Sequence, residues 1–121
     1  MELFDTTQAA LEAAMRGSAA RQHAIAQNLA NANTPGYRRV EVDFQSALKT
    51  ALADPGTTSH ALDAMTPTTE VDRSAVLRMD GNSVDIDSEA AAEAQNGLLY
   101  EGVAQVMKAR IDIIESAIGV R

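Results

Sequence analysis

Asp80, Asn82, Asp85, Asp87 and Glu89 put five oxygen-bearing side chains into ten residues, the raw material of a calcium loop. Their spacing does not make one. Counted from Asp80, the sixth position is Asp85 where the loop needs glycine, and the twelfth is Ala91 where a bidentate glutamate belongs. With Gly81 between them, the residues read as a turn followed by a helix cap. The two histidines, His23 and His60, are far apart, and the chain has no cysteine to join them, so no metal set is expected. There is no glycine-rich phosphate loop, no G-x-S-x-G elbow and no H-E-x-x-H. Paired carboxylates are everywhere in so acidic a chain, which leaves a two-carboxylate hydrolase open by residue type. With 3% aromatic residues there is little surface from which to build its sugar cleft. Arg38-Arg39 is a small basic spot that reads as solvated or acid-paired. The expectation is a protein with no catalytic residues, no cofactor and no metal.

Composition narrows the class further. The chain has 121 residues and no Trp, and its apolar mass is mostly Ala, Leu, Val and Ile. Alanine favours helix but buries little area, so long helices must gain stability from packing against something else, other subunits included. Ten basic and 17 acidic residues give a net charge of −7, which disfavours nucleic acid and an anionic membrane surface as partners. The N-terminus, Met1-Glu2-Leu3-Phe4-Asp5, has no basic region or apolar run of signal-peptide length, and no stretch of about 18 apolar residues appears. Neither a cleaved signal nor a membrane span is expected. A cytoplasmic protein, or one exported without a cleaved signal, fits.

The elements that would carry these residues are mainly helical. A first helix is expected over about residues 6–32, with Asp5 or Thr6 as N-cap. Alternating steps of three and four from Phe4 give Gln8, Leu11, Met15, Ser18, Gln22, Ile25, Leu29 and Ala32. This is a heptad seam with a polar middle, and Gly17 lies just outside it. Polar residues at such positions can fix the register of a helix that touches several neighbours, although an ordinary amphipathic helix in a small bundle accounts equally well for the periodicity. Arg38 to Phe44 alternates in the manner of a short strand. Asp43 then caps a short middle helix carrying Phe44, Leu48, Ala51 and Leu52 on one face, ended by Asp54-Pro55-Gly56. A linker follows over about residues 54–86, most irregular and partly mobile across 57–80.

A last helix is expected over about residues 88–118, with Asp87 as N-cap and Glu89 near its positive end. Leu99, Val103, Val106 and Ile113 form one stripe on it, and Tyr100, Met107, Ile111, Ile114 and Ile118 an adjacent one. One stripe can meet the first helix and the other needs a further partner. Gly97 and Gly102 suggest close approach by another backbone, or a soft spot. At 1.5 Å per residue each terminal helix would be about 40 Å long, enough to pair along most of their length. The fold class is therefore all-α, as one unit over residues 1–121: two long terminal helices pairing as an antiparallel coiled coil, a short middle helix, and an irregular linker with little β.

Two stretches go beyond helix and turn. Asn28-Leu29-Ala30-Asn31-Ala32-Asn33-Thr34-Pro35-Gly36-Tyr37 ends the first helix with three asparagines, a proline and a glycine. It resembles the N-terminal motif of the bacterial flagellar rod and hook family, A-N-x-x-T-x-G-Y. At the other end, Asp80-Gly81-Asn82-Ser83-Val84-Asp85-Ile86-Asp87-Ser88-Glu89 is followed by a helix with Asn96 and Tyr100. This looks like the C-terminal pattern of proximal rod proteins in that family, D-G-N-x-V-D-x-D-x-E and then N-x-x-x-Y. Together the two cover about two thirds of the chain.

The resemblance implies a structural subunit, not an enzyme. Subunits similar to this one pair their terminal helices and stack helically at the base of the flagellar rod, in the periplasm. They pass unfolded through the flagellar type III export apparatus, with partly disordered ends when free. The implied partners are other rod proteins, the MS-ring/rod adaptor and the export apparatus. Leu11, Met15, Ile25, Leu29, Leu99, Val103, Val106, Met107, Ile111, Ile113, Ile114 and Ile118 would be packing residues between helices and subunits. Asn28, Asn31, Thr34, Pro35, Gly36, Tyr37, Gly81, Asn82, Val84, Asp85 and Asp87 carry the family pattern. Phe44 with Leu48 is a candidate export signal, or simply the inner face of the middle helix. Two other classes stay open on sequence alone: a soluble helical adaptor or export chaperone that binds a partner helix, and a carboxylate-based cell-wall hydrolase.

Overall fold

The computed structural model describes residues 2–119, with side chains from Asp5 onward. Phe4, at the head of the heptad seam, lies outside the described side chains. The elements in order are α1 (Glu2–Ala30), β1 (Val40–Glu41), α2 (Phe44–Ala53), α3 (Ser59–Asp63), β2 (Glu70–Val71) and α4 (Ile86–Ala117). The protein is all-α, with two long terminal helices and very little strand.

α1 starts earlier than the sequence signals suggest, so Asp5 and Thr6 lie within its first turns instead of capping it. No proline or glycine interrupts that stretch, and an acid there is favourable near the helix's positive end. At the other terminus, Asn31 N–H reaches both Gln27 and Asn28 carbonyls, and Ala32 N–H that of Leu29, so the last turn tightens before it ends. Thr34-Pro35-Gly36-Tyr37 then reverses the chain. Tyr37 N–H donates to Thr34 O at 3.2 Å and Gly36 has φ of 76°, the type II turn that proline followed by glycine favours.

α1 and α4 run antiparallel, as shown by the order of their cross-links. Ser18 Oγ donates to Asn96 Oδ1 at 3.0 Å, Asn96 Nδ2 donates to Ser18 O at 2.9 Å and to Gln22 Oε1 at 3.0 Å, and Gln22 Nε2 donates to Glu93 Oε1 at 3.2 Å. The polar middle of the α1 seam is thus answered by a polar middle on α4. A slide of one turn would leave Asn96 buried without partners, so these bonds set the register. The inward row of α4 is Glu89, Ala92, Asn96, Leu99, Val103 and Met107, all buried or half-buried. It draws on both apolar stripes and leaves Val106 and Ile113 outside.

A second face of α1 is made of small residues and packs on the segment that folds back. Ala13 and Ala24 form a core with Val42 and Phe44, against which Ala20, Val40, Leu48 and Met65 pack. Gly17 is required there. A Cβ at this position would stand 2.6 Å from Phe44 Cγ and 2.9 Å from Phe44 Cβ, so the ring rests directly on the helix backbone. That contact offsets the cost of about 1 kcal/mol for glycine inside a helix. Gly97 and Gly102 have no such reason. Among the described residues nothing lies within 4 Å of a Cβ at either, so no backbone of another element among them comes close.

Asp43 caps α2 as expected, accepting Ser46 N–H. The segment after it is more ordered than a linker. Thr58 caps the five-residue α3, whose Leu62 is completely buried, and Arg16 of α1 donates to the carbonyls of Leu62 and Asp63 at 3.0 and 3.3 Å. Such a short helix shows no periodicity, and one leucine and one arginine from far along the chain hold it. β2 then pairs antiparallel with β1, Val71 opposite Val40 and Glu70 opposite Glu41. α4 is capped by Asp85, not Asp87. Asp85 accepts the N–H groups of Asp87 and Ser88, and its extended backbone, fixed by the buried Val84 before it, suits the cap position.

Candidate functional site

The end of α1 leaves carbonyls that the helix cannot satisfy, and the chain supplies their donor from fifty residues away. Asn82, fully buried, donates through Nδ2 to Asn31 O at 2.9 Å, Ala32 O at 3.2 Å and Thr34 O at 2.8 Å. Its Oδ1 accepts Val84 N–H at 2.7 Å, and its own N–H donates to Asp80 Oδ1 at 3.0 Å. Arg78 adds a second donor to Ala32 O and an ion pair to Asp80 at 3.5 Å.

Two turns hold Asn82 in place. Gly81 N–H donates to Arg78 O and Arg78 N–H to Asn82 O, a tight hairpin loop closed by Gly81 at φ 80°. This loop sits against the Thr34–Tyr37 turn. Gly36 N–H donates to Asp80 O at 2.9 Å, and a Cβ on Gly81 would already be 3.4 Å from Gly36 Cα.

Asn28, also fully buried, does the parallel job on the outgoing strand. Its Nδ2 donates to Val40 O at 2.8 Å, its Oδ1 accepts Val40 N–H at 2.9 Å, and Tyr37 Oη donates to the same Oδ1 at 3.3 Å. Burial, then the Glu89 carboxylate, pushes the Tyr37 hydroxyl above its ordinary range. Ser83 joins the ends again: its N–H donates to Tyr37 O and its Oγ accepts Arg39 N–H at 2.7 Å.

Arg39 is the charged centre of this clamp. Its Nε bonds Glu89 Oε1, and its Nη1 reaches Asp72 Oδ2 at 2.7 Å and Glu41 Oε2 at 3.4 Å. Glu89 is fully buried, and its Oε2 has no hydrogen-bond partner among the described residues, so Arg39, beside the positive end of α4, is the cation that answers its charge. Asp72 is held below the usual carboxylate range by the Ser74 hydroxyl first, opposed by burial, and then by Ser74 N–H and Arg39. Asp80 is lowered first by Asn82 N–H, with help from Arg78, and Asp85 first by the Ser88 hydroxyl.

These depressed values fix a direction for acid. A carboxylate whose folded-state pKa lies below its unfolded one contributes stability above the unfolded value and loses it as pH falls through the folded one. The ordinary value for an aspartate is 3.8, so the contribution of these groups is expected to be complete from neutrality to about pH 5 and to be lost progressively below about pH 4. Urea midpoints measured across that range check this. Asp72→Asn is expected to remove part of the acid-dependent loss.

The eleven residues of the family pattern thus fall in one region, with Asn28 and Asn82 at its core, Pro35 and Gly36 on the exposed turn, and Asp85 and Asp87 at the start of α4. The candidate packing residues divide. Ile25 is buried, and Leu11, Met15, Leu29, Leu99, Val103 and Met107 are half-buried between elements. Val106, Ile111, Ile113, Ile114 and Ile118 are 45% to 68% exposed. Phe44 is buried under Gly17, and Leu48 is half-buried on the same face of α2.

Arg39, Ser83 and the buried role of Glu89 were not legible beforehand. Arg39 reads as a surface pair and Glu89 as a helix-dipole acid. The one available signal is that Ser83 and Glu89 lie inside the second patterned stretch and Arg39 stands two residues beyond the first. Among the described residues no group of three His, Cys, Asp or Glu is placed to hold a metal. Among the same residues no helix is long and apolar enough to cross a membrane.

Side chains spent on closing backbone, with a row of apolar residues left outside, fit a structural protein. The family profile described as "Flagella basal body rod protein" matches residues 7–38, the stretch from α1 to the clamp turn. The chain is similar to the flagellar basal body rod protein FlgB of Escherichia coli strain K12, at 34% identity over 117 positions covering 82% of this chain and 85% of the relative. It is also similar to FlgB of Proteus mirabilis strain HI4320 (34% over 97 positions, 67% and 70%) and of Bacillus subtilis strain 168 (29% over 132 positions, 98% and 97%). The chain belongs to the FlgB family of flagellar basal body rod proteins. It is a structural component of the flagellar rod and not an enzyme.

Proposed function

We propose that this chain self-assembles through its terminal helices into the proximal, periplasmic part of the rod, forming a stiff segment of the shaft that transmits torque. The supporting observation is the row Val106, Ile111, Ile113, Ile114 and Ile118, which α1 does not cover. Contiguous exposed apolar side chains mark interaction surfaces, and a neighbouring subunit is the cover this reading assigns them. The partners are further copies, other rod proteins and the MS-ring/rod adaptor, with the α1–α4 pair continuing as a coiled coil in the assembled state. The chain reaches the site unfolded, through the flagellar type III export apparatus. Phe44 and Leu48 are available for recognition only in that form, since the folded subunit covers them.

Ile113→Asp separates assembly from folding, because Ile113 is 68% exposed in the subunit. Export of the variant and its melting temperature are expected to match the parent, while incorporation into basal bodies and motility are lost. Wild-type rods built from Ile113→Asp subunits would remove the α4 row from the interface. Electron microscopy of basal bodies from a strain lacking the chain gives the companion result, absent rods.

A further inference from the structure

Asn96 is followed by Gly97. In an Asn-Gly pair the backbone nitrogen of glycine attacks the side-chain amide more readily than in other pairs, because no side chain hinders its approach. Packing within the subunit does not explain this glycine, since a Cβ there would touch nothing within 4 Å among the described residues. Asn96, in contrast, is 2% exposed and is the polar centre of the α1–α4 contact.

We propose that Asn96 is a modification site gated by folding: a spontaneous deamidation that runs in the unfolded chain and is shut off in the folded subunit. In the open reaction the Gly97 nitrogen bonds to Asn96 Cγ, the amide nitrogen leaves as ammonia, and a succinimide forms. Water then adds to either carbonyl of the ring and opens it to aspartate or isoaspartate, so no oxidant or cofactor is needed.

Three features of the fold close it. Helical ψ near −42° at Asn96 holds the Gly97 nitrogen out of line with Cγ, so the ring closes only when the backbone leaves the helix. Gly97 lies inside α4, where its N–H belongs to the helical ladder. The side chain itself is held by Ser18 Oγ and Ser18 O and by Gln22 Oε1, at 3.0, 2.9 and 3.0 Å.

The product cannot rebuild this contact. A carboxylate has no N–H for Ser18 O or Gln22 Oε1 and would lie buried against both, and isoaspartate also lengthens the helix backbone. Modification therefore removes a chain from the folding-competent pool. The inference rests on the chemistry of the pair and stands apart from the assembly reading.

The test incubates the purified full chain at mildly alkaline pH across a urea series, with circular dichroism giving the unfolded fraction in each sample. Peptide mass spectrometry follows the gain of about one dalton as amide becomes acid at Asn96. The rate is expected to track the unfolded fraction, falling about tenfold wherever the folded form outnumbers the unfolded by that factor. Gly97→Ala, measured in high urea where folding plays no part, is expected to slow the reaction by at least the same order. A rate that ignores the unfolded fraction, or one that Gly97→Ala leaves unchanged in urea, overturns the proposal.

Discussion

Arg39→Ala is expected to cost the fold about 3–5 kcal/mol, the range for leaving one partner of a buried ion pair without the other. Glu89 is fully buried and, among the described residues, the Arg39 guanidinium is the one cation paired with its charge, so truncation strands a carboxylate that water cannot reach. The same change frees Asp72, though Ser74 still holds that acid through its hydroxyl and N–H at 2.6 and 2.9 Å. The arginine side chain is 23% exposed, which places the effect toward the lower end. Glu89→Gln in the Arg39→Ala background is expected to restore a large part of the loss, because it removes the stranded charge. Arg39→Lys is expected to fall in between, since one ammonium does not reproduce a planar fork that serves Glu89 and Asp72 together. Urea unfolding followed by circular dichroism measures all of these. Additive single and double changes would mean that the pair is not coupled in the fold.

Asn82→Ala should come close, at about 3 kcal/mol. It removes the donor to Asn31 O and Thr34 O and the acceptor for Val84 N–H, and a buried group left unmade costs about 1–3 kcal/mol. Ala32 O keeps Arg78, and Thr34 at the surface recruits water, so the sum stays below three full penalties. Asn82→Asp is the sharper comparison. It preserves size and the acceptor for Val84, but it aims a carboxylate oxygen at three carbonyls, and it should be at least as damaging. An aspartate variant of parental stability would show that the amide donors do not hold the end of α1.

Sequence patterns announced the punctuation of this fold better than its joints. The stop at Asn31–Tyr37, the Asp43 cap and the long last helix are local events, written in residues that sit side by side. The same holds for the polar centre of the α1 seam, because Ser18 and Gln22 interrupt an otherwise apolar period. What answers them is not local. Nothing near Arg39 says that its partner is Glu89, and nothing near Glu89 says that it is buried, because α4 brings the two together only after the chain has reversed twice. α3 was illegible for a different reason: five residues hold barely more than one turn, and Leu62 gains its burial from α1 rather than from its neighbours in sequence. The shift of the α4 cap from Asp87 to Asp85 has a tertiary cause too, since burial of Val84 decides where the extended backbone ends.

The pairing of Asn28 with Val40 has a consequence for chains at high concentration. In the β1–β2 ribbon Val40 faces Val71 without hydrogen bonds between them, so the N–H and C=O of Val40 point to the other edge. An open edge of that kind is a template on which another molecule can add a strand and begin an aggregate. Asn28 occupies both groups with one side-chain amide, standing in for the missing strand. That edge is thereby closed to a further strand.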